Sequence, residues 1–205
     1  EDGRGGSQLG FGTAVQHGAI LLAEYIVQHP ELVRGQRCVE LGTGPGLVGI
    51  VAAAVAGARS VACTDGDQEL LATLVNQNMV KNFGPPGEDG RWLEGRLWHQ
   101  PLLWGQDEHH QRVPVPVDVI LAADIVACVY TDSFRDLIAT IVYLFDRGGA
   151  RHMLLSYRQR HHSEKLFFER LTRKGFVLKE CPSVSRHGVN QTELRITIFH
   201  ITKPE

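Results

Sequence analysis

One stretch of this chain constrains its fold more than any other. In "CVELGTGPGLVGIVAAA", Cys38 to Ala54, a short apolar strand runs into a glycine loop and then into a helix of small residues. Apolar strands alternate with helical periodicity through five strands, which is typical of a parallel sheet with helices on both faces. Two final strands, "FVLKE" and "ELRITIFHIT", have no helix between them, so they must pair antiparallel or lie apart. We therefore predict an α/β, Rossmann-like, doubly wound sheet of seven strands, mostly parallel with an antiparallel last strand.

Composition limits the domain count and the partners. The chain has 205 residues, 43% hydrophobic, which suits one globular domain with a full core. We predict a flexible N-terminal segment at 1–12 and a single domain at 13–205. A net charge of −2 gives no basic excess for nucleic acid, and the apolar run at 47–58 is too short to span a membrane. We expect no nucleic-acid partner and no membrane association, and we expect a monomer.

The cysteines and histidines do not suggest a metal site. The four cysteines include no C-x-x-C pair and each lies in or beside a predicted strand, which fits a reducing compartment and a location in the cytoplasm, or also the nucleus. The pairs His109-His110 and His161-His162 have no cysteine cluster near them. We predict solvated loop residues at both pairs and no metal ligands.

The glycine loop fits two cofactors. Gly44 to Gly49 matches the G-x-G-x-x-G dinucleotide fingerprint, whereas alternate glycines from Gly42 onward, preceded by Glu40, match a loop that binds S-adenosylmethionine. Asp65 ends the second strand and can accept bonds from ribose hydroxyls in either case. Glu40 separates the two hypotheses, because a carboxylate would repel the pyrophosphate of NAD but attract the sulfonium and ammonium of S-adenosylmethionine. The sequence favours S-adenosylmethionine.

Four motifs carry a family resemblance over nearly the whole chain. "VELGTGPGLVGIVAA", "CTD", "LLWGQ" and "VDVILAAD" occur in the order and at the spacing seen in the small seven-β-strand (class I) methyltransferase-like protein-lysine N-methyltransferases, which this chain resembles. The resemblance implies S-adenosylmethionine as the methyl donor, S-adenosylhomocysteine as the product and a lysine side chain of a protein as the acceptor.

The resemblance also implies roles for individual residues. It places the loop around the amino-acid end and sugar of the donor, an acid on the ribose, a tryptophan near the adenine and a small residue at the end of the fourth strand. The residues at these positions are Gly42, Thr43 and Gly44, then Asp65, Trp104 and Ala123. Asp124 would begin the acidic motif beside the transferred methyl group.

Two positions depart from the family pattern. The family motif is D-x-x-Y or D-x-x-F, but Asp124 is followed by Ile-Val-Ala, and the aromatic Tyr130 comes three residues later. Gln16 stands where the family has a tryptophan beside the cofactor. We take Asp124 and Tyr130 as the catalytic candidates, which orient or deprotonate the amine, and Gln16 as a cofactor-side residue.

Other functions stay open at this point. A small-molecule amine could be the acceptor, or the chain could be a non-catalytic S-adenosylmethionine-binding interaction module. In "SYRQRHHSEK", which follows the fifth strand, Tyr157, Arg158 and Arg160 could contact an acidic patch of a substrate.

Overall fold

The computed structural model describes residues 14–127, 132–181, 186–187 and 193–204. Helices α1 (His17–Gln28), α2 (Leu47–Ala54), α3 (Gln68–Leu70), α4 (Asn76–Phe83), α5 (Asp107–His110), α6 (Phe134–Asp146) and α7 (Lys165–Arg173) alternate with the strands, and a π-helical segment, Leu71–Val75, joins α3 to α4. The strands are β1 (Arg37–Leu41), β2 (Ser60–Asp65), β3 (Leu97–Pro101), β4 (Val119–Ala123), β5 (His152–Tyr157), β6 (Val177–Glu180), β7 (Arg186–His187), β8 (Glu193–Leu194) and β9 (Thr197–Thr202).

Seven of these strands form one sheet in the order β3-β2-β1-β4-β5-β9-β6. The first five pair in parallel, and β9 lies antiparallel between β5 and β6. The predicted fold class is therefore confirmed, including the antiparallel last strand. The segment "ELRITIFHIT" is not one strand, because β8 pairs with β7 in a separate hairpin before β9 begins.

The two faces of the sheet bury separate cores. Alternate strand residues point to opposite faces. Val39, Ile120 and Met153 pack with α6 and α7 on one face, whereas Cys38, Val119 and others pack with α1, α2 and α4 on the opposite face. The helices therefore cover both faces of a doubly wound sheet, as the alternating sequence pattern predicts.

The third strand begins later than its sequence suggests. The segment "RWLEGRLW" is a turn up to residue 96, because Leu93 and Glu94 have φ angles of 53° and 58°, and only Leu97–Pro101 joins the sheet. The predicted flexible segment at 1–12 lies outside the described residues. Within the described ranges, no helix combines the length and apolarity that a membrane span requires.

Strand order and register determine where a ligand can bind. In open α/β sheets the binding crevice lies at the carboxyl ends of the strands, where the order reverses. Here β1 is flanked by β2 and β4, and Leu41 pairs with Thr64 on one side and Ala122 on the other. The residues that follow these three strands therefore meet at one edge of the sheet.

Candidate active site

A cleft of about 550 Å³ lies at this edge of the sheet. All the described residues that the sequence assigns to the cofactor or to catalysis line it: Gln16, Glu40, Gly42, Thr43, Gly44, Asp65, Trp104, Ala123 and Asp124. Tyr130 lies outside the described residues, so its place stays a prediction. Volume and concavity are those of a small-ligand site.

The glycine loop needs its glycines for conformation and for close packing. Gly42, Gly44 and Gly46 have φ angles of 63°, 50° and 90°, a region that residues with side chains rarely adopt. A Cβ on Gly42 would also lie 2.7 Å from Cγ2 of Ile125, which follows β4. The loop therefore turns sharply over the end of β1, with its backbone against the cleft.

Glu40 is a buried carboxylate directly beneath this loop. It is 2% exposed, and its Oε2 accepts hydrogen bonds from Thr43 Oγ1 at 2.5 Å and from the Gly49 backbone N at 3.0 Å. Burial raises the pKa of Glu40 to about 7, although the bonds from Thr43 and Gly49 oppose that rise. Glu40 therefore ties the loop to α2, and a cation nearby would favour its ionised form.

Gly49 makes this arrangement possible. A Cβ at Gly49 would lie 2.3 Å from Cys63 Sγ and 2.6 Å from Glu40 Oε2, so only glycine lets α2 approach both strands this closely. In the dinucleotide interpretation Gly49 belongs to the cofactor loop, but here it serves the packing of α2 on β1 and β2 and does not line the cleft.

Asp65 ends β2 and faces the same loop. Its Oδ2 accepts from the Gly44 backbone N, and its Oδ1 accepts from the Asp67 backbone N, both at 3.1 Å. Burial raises the pKa of Asp65, partly offset by these backbone donors. The carboxylate thus lies where the sequence places a ribose acceptor, and it also orders the glycine loop.

The charges around the cleft are strongly one-sided. Among the described lining residues there are five carboxylates and one basic side chain, Arg160; the acids are Glu40, Asp65, Asp67, Asp124 and Asp136. A pyrophosphate would meet repulsion from most of these groups, whereas a sulfonium or an ammonium would be attracted. From the sequence, the preference for a cationic cofactor rests on Glu40 alone. In the structure, the negative charge of the whole cleft supports the same preference.

Asp124 follows β4 in a left-handed conformation, with φ 57°. Its side chain is 4% exposed; Oδ2 accepts from the Gly18 backbone N and Oδ1 accepts from Arg160 Nη2, both at 2.8 Å. A Cβ at Gly18 would lie 2.3 Å from that Oδ2, so glycine lets α1 dock on the carboxylate. Asp124 is thus both an anchor for α1 and a binding site for a cationic side chain.

The sequence motifs do not predict these two partners of Asp124. The role of Gly18 could have been predicted, because a glycine in the first turn of an apolar helix indicates close packing against a neighbouring element. The sequence suggests a substrate contact for Arg160, but nothing in it indicates a pairing with a residue 36 positions earlier in the chain. Gln16 lines the cleft from the N-cap position of α1, without a capping bond from its side chain, and its side-chain amide donates to the Ala14 carbonyl at 3.4 Å.

Trp104 lies in the loop after β3, close to Gly42. Its Cζ2 is 3.6 Å from the position of a Cβ on Gly42, which brings the ring against the glycine loop. The next residue is fixed by α6, since the Gly105 backbone N donates to Thr140 Oγ1 at 2.9 Å. An aromatic ring thus forms one side of the cleft, as the predicted adenine contact requires.

One prediction in this region is wrong. His110 is not a solvated loop residue: it is 3% exposed, its ring stacks on Tyr143, and its Nε2 lies 2.9 Å from Thr140 Oγ1. Burial lowers the pKa of His110. Adjacent histidines on the short helix α5 point apart, which buries one of them against α6. His161 and His162 are exposed, as predicted.

Comparisons with known proteins agree with this geometry. A model of the lysine methyltransferase family matches residues 4–174. The mouse protein N-lysine methyltransferase METTL21A is 31% identical over 172 residues, 84% of this chain and 72% of that protein. Mouse EEF1A lysine methyltransferase 3 is 32% identical over 174 residues, 85% of this chain and 68% of that protein.

Solved structures share the fold at lower identity. A putative RNA methyltransferase from Pyrococcus horikoshii has a TM-score of 0.62 at 13% identity, covering 91% of this chain and 83% of its own. Aeropyrum pernix fibrillarin, solved with natively bound S-adenosyl-L-methionine, has a TM-score of 0.55 at 15% identity, and the match covers 82% of this chain and 67% of fibrillarin. The family match spans most of the sequence that builds the sheet and the acidic cleft, so this chain belongs to the lysine methyltransferase family and is an S-adenosylmethionine-dependent methyltransferase.

Proposed function

We propose that this protein methylates a lysine side chain of a protein substrate, with the donor in the cleft and Asp124 beside the incoming amine. The observation that carries the proposal is the pairing of Asp124 with Arg160 at the edge of an acidic cleft. It supports the proposal, because the carboxylate already holds a long cationic side chain at the position that we propose for the target lysine. Lysine resembles arginine in length and charge.

The residues of the cleft fit the donor. The positive-φ loop Gly42–Gly44 offers backbone close to the ligand, Asp65 offers an acceptor for ribose hydroxyls, and Trp104 offers an apolar face for the adenine. Glu40 supplies negative charge at a place where burial makes that charge unstable without a cation. Once bound, S-adenosylmethionine supplies a methyl group on a sulfonium, which needs alignment more than activation.

The acceptor needs help with its proton. A free lysine has a pKa of about 10.4, so removing its proton at neutral pH costs about 4.6 kcal/mol. The Asp124 carboxylate can hold the ammonium first, and its own burial lowers the hydration of whatever it holds. We keep the prediction that Tyr130 or water then takes the proton, leaving the amine lone pair free to attack.

Asp124→Asn tests this role with little risk to the fold. Asparagine tolerates the left-handed conformation and can still accept from the Gly18 backbone N, but it holds no cation. We expect kcat/KM for methyl transfer to fall about 100-fold, while the affinity for S-adenosylmethionine stays within about twofold. Asp146→Asn, on the exposed side of α6, is the matched control. Transfer at the wild-type rate by Asp124→Asn would contradict the assignment.

Labelling of a cell lysate separates the alternatives. With radiolabelled S-adenosylmethionine, a protein substrate gives labelled bands that protease treatment removes, and mass spectrometry then locates the modified lysine. Label only in small molecules would favour an amine metabolite. Binding of the donor in a thermal-shift assay without any transfer would favour an interaction module. Stabilisation by NAD alone would overturn the choice of donor.

A further inference from the structure

A second cleft of opposite charge adjoins the candidate active site. It has a volume of about 700 Å³ and lies between the loop after β5 and strands β6 and β9. We call it the basic groove; its charged and histidine side chains are Arg158, Arg160, His161, His162, Arg195 and Glu180. Three arginines and two histidines thus face one carboxylate.

Arg160 joins the two clefts. Among the described residues, it alone lines both the acidic cleft and the basic groove. Its backbone N donates to Oε2 of Glu164 at 2.9 Å, and the Tyr157 hydroxyl donates to the same oxygen at 2.8 Å. Glu164 is fully buried, so the backbone at this point is fixed while the guanidinium reaches out to Asp124. A rotation of that side chain alone would move its charge from one cleft towards the other.

The other two arginines of the basic groove are available to an anion. Within the described ranges, neither Arg158 nor Arg195 has a carboxylate within the 4 Å of an ion pair. Arg195 is exposed, just before β9, and Arg158 is half-buried directly after β5. Glu180, on the exposed end of β6, lines the same groove but forms no ion pair with either arginine in the described part of the chain.

We propose that the basic groove binds an acidic segment next to the target lysine, and that Arg160 exchanges partners when this substrate arrives. Arg160 leaves Asp124 for a substrate carboxylate, and the lysine ammonium takes its place on Asp124. The inference rests on the proposed function and adds a class of substrate to it: a lysine with acidic neighbours. Each ion pair that breaks is replaced, so the buried Asp124 carboxylate is never left alone, which would be strongly destabilising.

The sign of the charges favours an acidic protein segment over a nucleic acid. The acidic cleft and the basic groove lie side by side, so a matching ligand must carry positive and negative charge in succession. A continuous phosphate backbone would bring negative charge onto the five carboxylates of the acidic cleft. A lysine beside Asp or Glu matches both signs at once.

Binding of an acidic peptide tests the groove without any methyl transfer. The probe is a fluorescent, lysine-free hexaglutamate peptide, followed by anisotropy on the full chain at low and moderate salt. We expect the double variant Arg158→Gln/Arg195→Gln to bind it roughly tenfold more weakly than wild type. Arg170→Gln, exposed on α7 and outside both clefts, should bind as wild type does. Equal affinity for wild type and double variant would overturn the proposal, as would tighter binding of a hexathymidylate of similar charge.

A double-mutant cycle tests the exchange itself. The protein labelled in lysate is prepared with the acidic residues around its methylated lysine changed to amides, and kcat/KM is measured with wild type, Arg160→Gln and Arg160→Lys. The amide changes should lower kcat/KM about tenfold with wild type, less than about twofold with Arg160→Gln, and again about tenfold with Arg160→Lys. Equal losses with all three enzymes, or a methylated lysine without acidic neighbours, would refute the exchange. Absence of any labelled protein would instead contradict the proposed function, and the peptide measurement would still decide the groove.

Discussion

Changing Glu40 to glutamine tests whether a buried negative charge holds the donor. Glu40 is 2% exposed, with its pKa raised by burial to about 7 from an ordinary value of 4.5. Glutamine keeps the shape: its amide oxygen, in the place of Oε2, can accept from both the Gly49 backbone N and Thr43 Oγ1. The substitution therefore removes the charge and leaves the loop tied to α2.

The stability effect has a definite sign. Because the folded pKa lies above the unfolded one, the contribution of Glu40 to stability is present below about pH 4.5 and is lost as pH rises through about 7. The shift from 4.5 to about 7 corresponds to about 3 kcal/mol at full ionisation. Urea unfolding of the ligand-free protein should show wild type losing about 2–3 kcal/mol relative to Glu40→Gln between about pH 5 and pH 8.

Donor affinity should change in the opposite direction. If the ionised carboxylate attracts the donor, wild type binds S-adenosylmethionine more tightly as pH rises, by up to about tenfold between about pH 6 and pH 8, since the ionised fraction rises about tenfold. Glu40→Gln should bind more weakly at pH 8 and show little of this pH dependence. Isothermal titration calorimetry at both pH values measures it. Parallel pH profiles for the two proteins, in stability or in affinity, would refute the electrostatic role of Glu40.

Two further substitutions test packing and buried charge. Gly49→Ala places a Cβ 2.3 Å from Cys63 Sγ and should lower the free energy of unfolding by about 1–3 kcal/mol. Gly87→Ala, whose Cβ would lie 3.2 Å from the Asp89 carboxylate and at ordinary contact distance from the Arg91 carbonyl, should change it by less than about 0.5 kcal/mol. Equal effects of the two substitutions in urea unfolding would contradict the packing argument. Burial, with the charge of His200, lowers the pKa of His152 to about 4, so the unfolded chain protonates first and stability falls as pH drops from about 6.5 towards 4. His152→Gln should remove about 1 kcal/mol of that loss at pH 5, after allowance for the partial exposure of the ring, and an unchanged pH profile would show that His152 is not its source.

The motifs of the sequence predict correctly which residues gather around the glycine loop. The glycines are required by the local backbone conformation of the loop, and the acid is expected at the end of the second strand of such a sheet. Spacing in the sequence therefore sufficed to place Gly42, Gly44 and Asp65 at the cleft. All three line the cleft in the structure. Glu40 also lines it, but its hydrogen bonds to Thr43 and Gly49 give it a second role in fixing the loop.

The partners of Asp124 could not be predicted from the spacing of motifs. The pairing of Asp124 with Arg160 joins the ends of two different strands, and the docking of Gly18 on the same carboxylate joins residues 106 positions apart. The burial of His110 depends on α6 packing over a short helix that no periodicity indicates. Each of these contacts depends on which helices and strands become neighbours in the fold. Local sequence patterns do not indicate those neighbours.

The sequence by itself determined the strand–helix alternation, the seven-stranded sheet and the preference for a cationic cofactor, because backbone conformation, hydrophobic period and charge sign are properties of short segments. Only the tertiary structure decided that five carboxylates gather in one cleft, that a basic groove lies next to it, and that Arg160 connects the two. The physical reason is that charge acts through space: its effect depends on distances between segments, and those distances exist only once the sheet has brought the strand ends together.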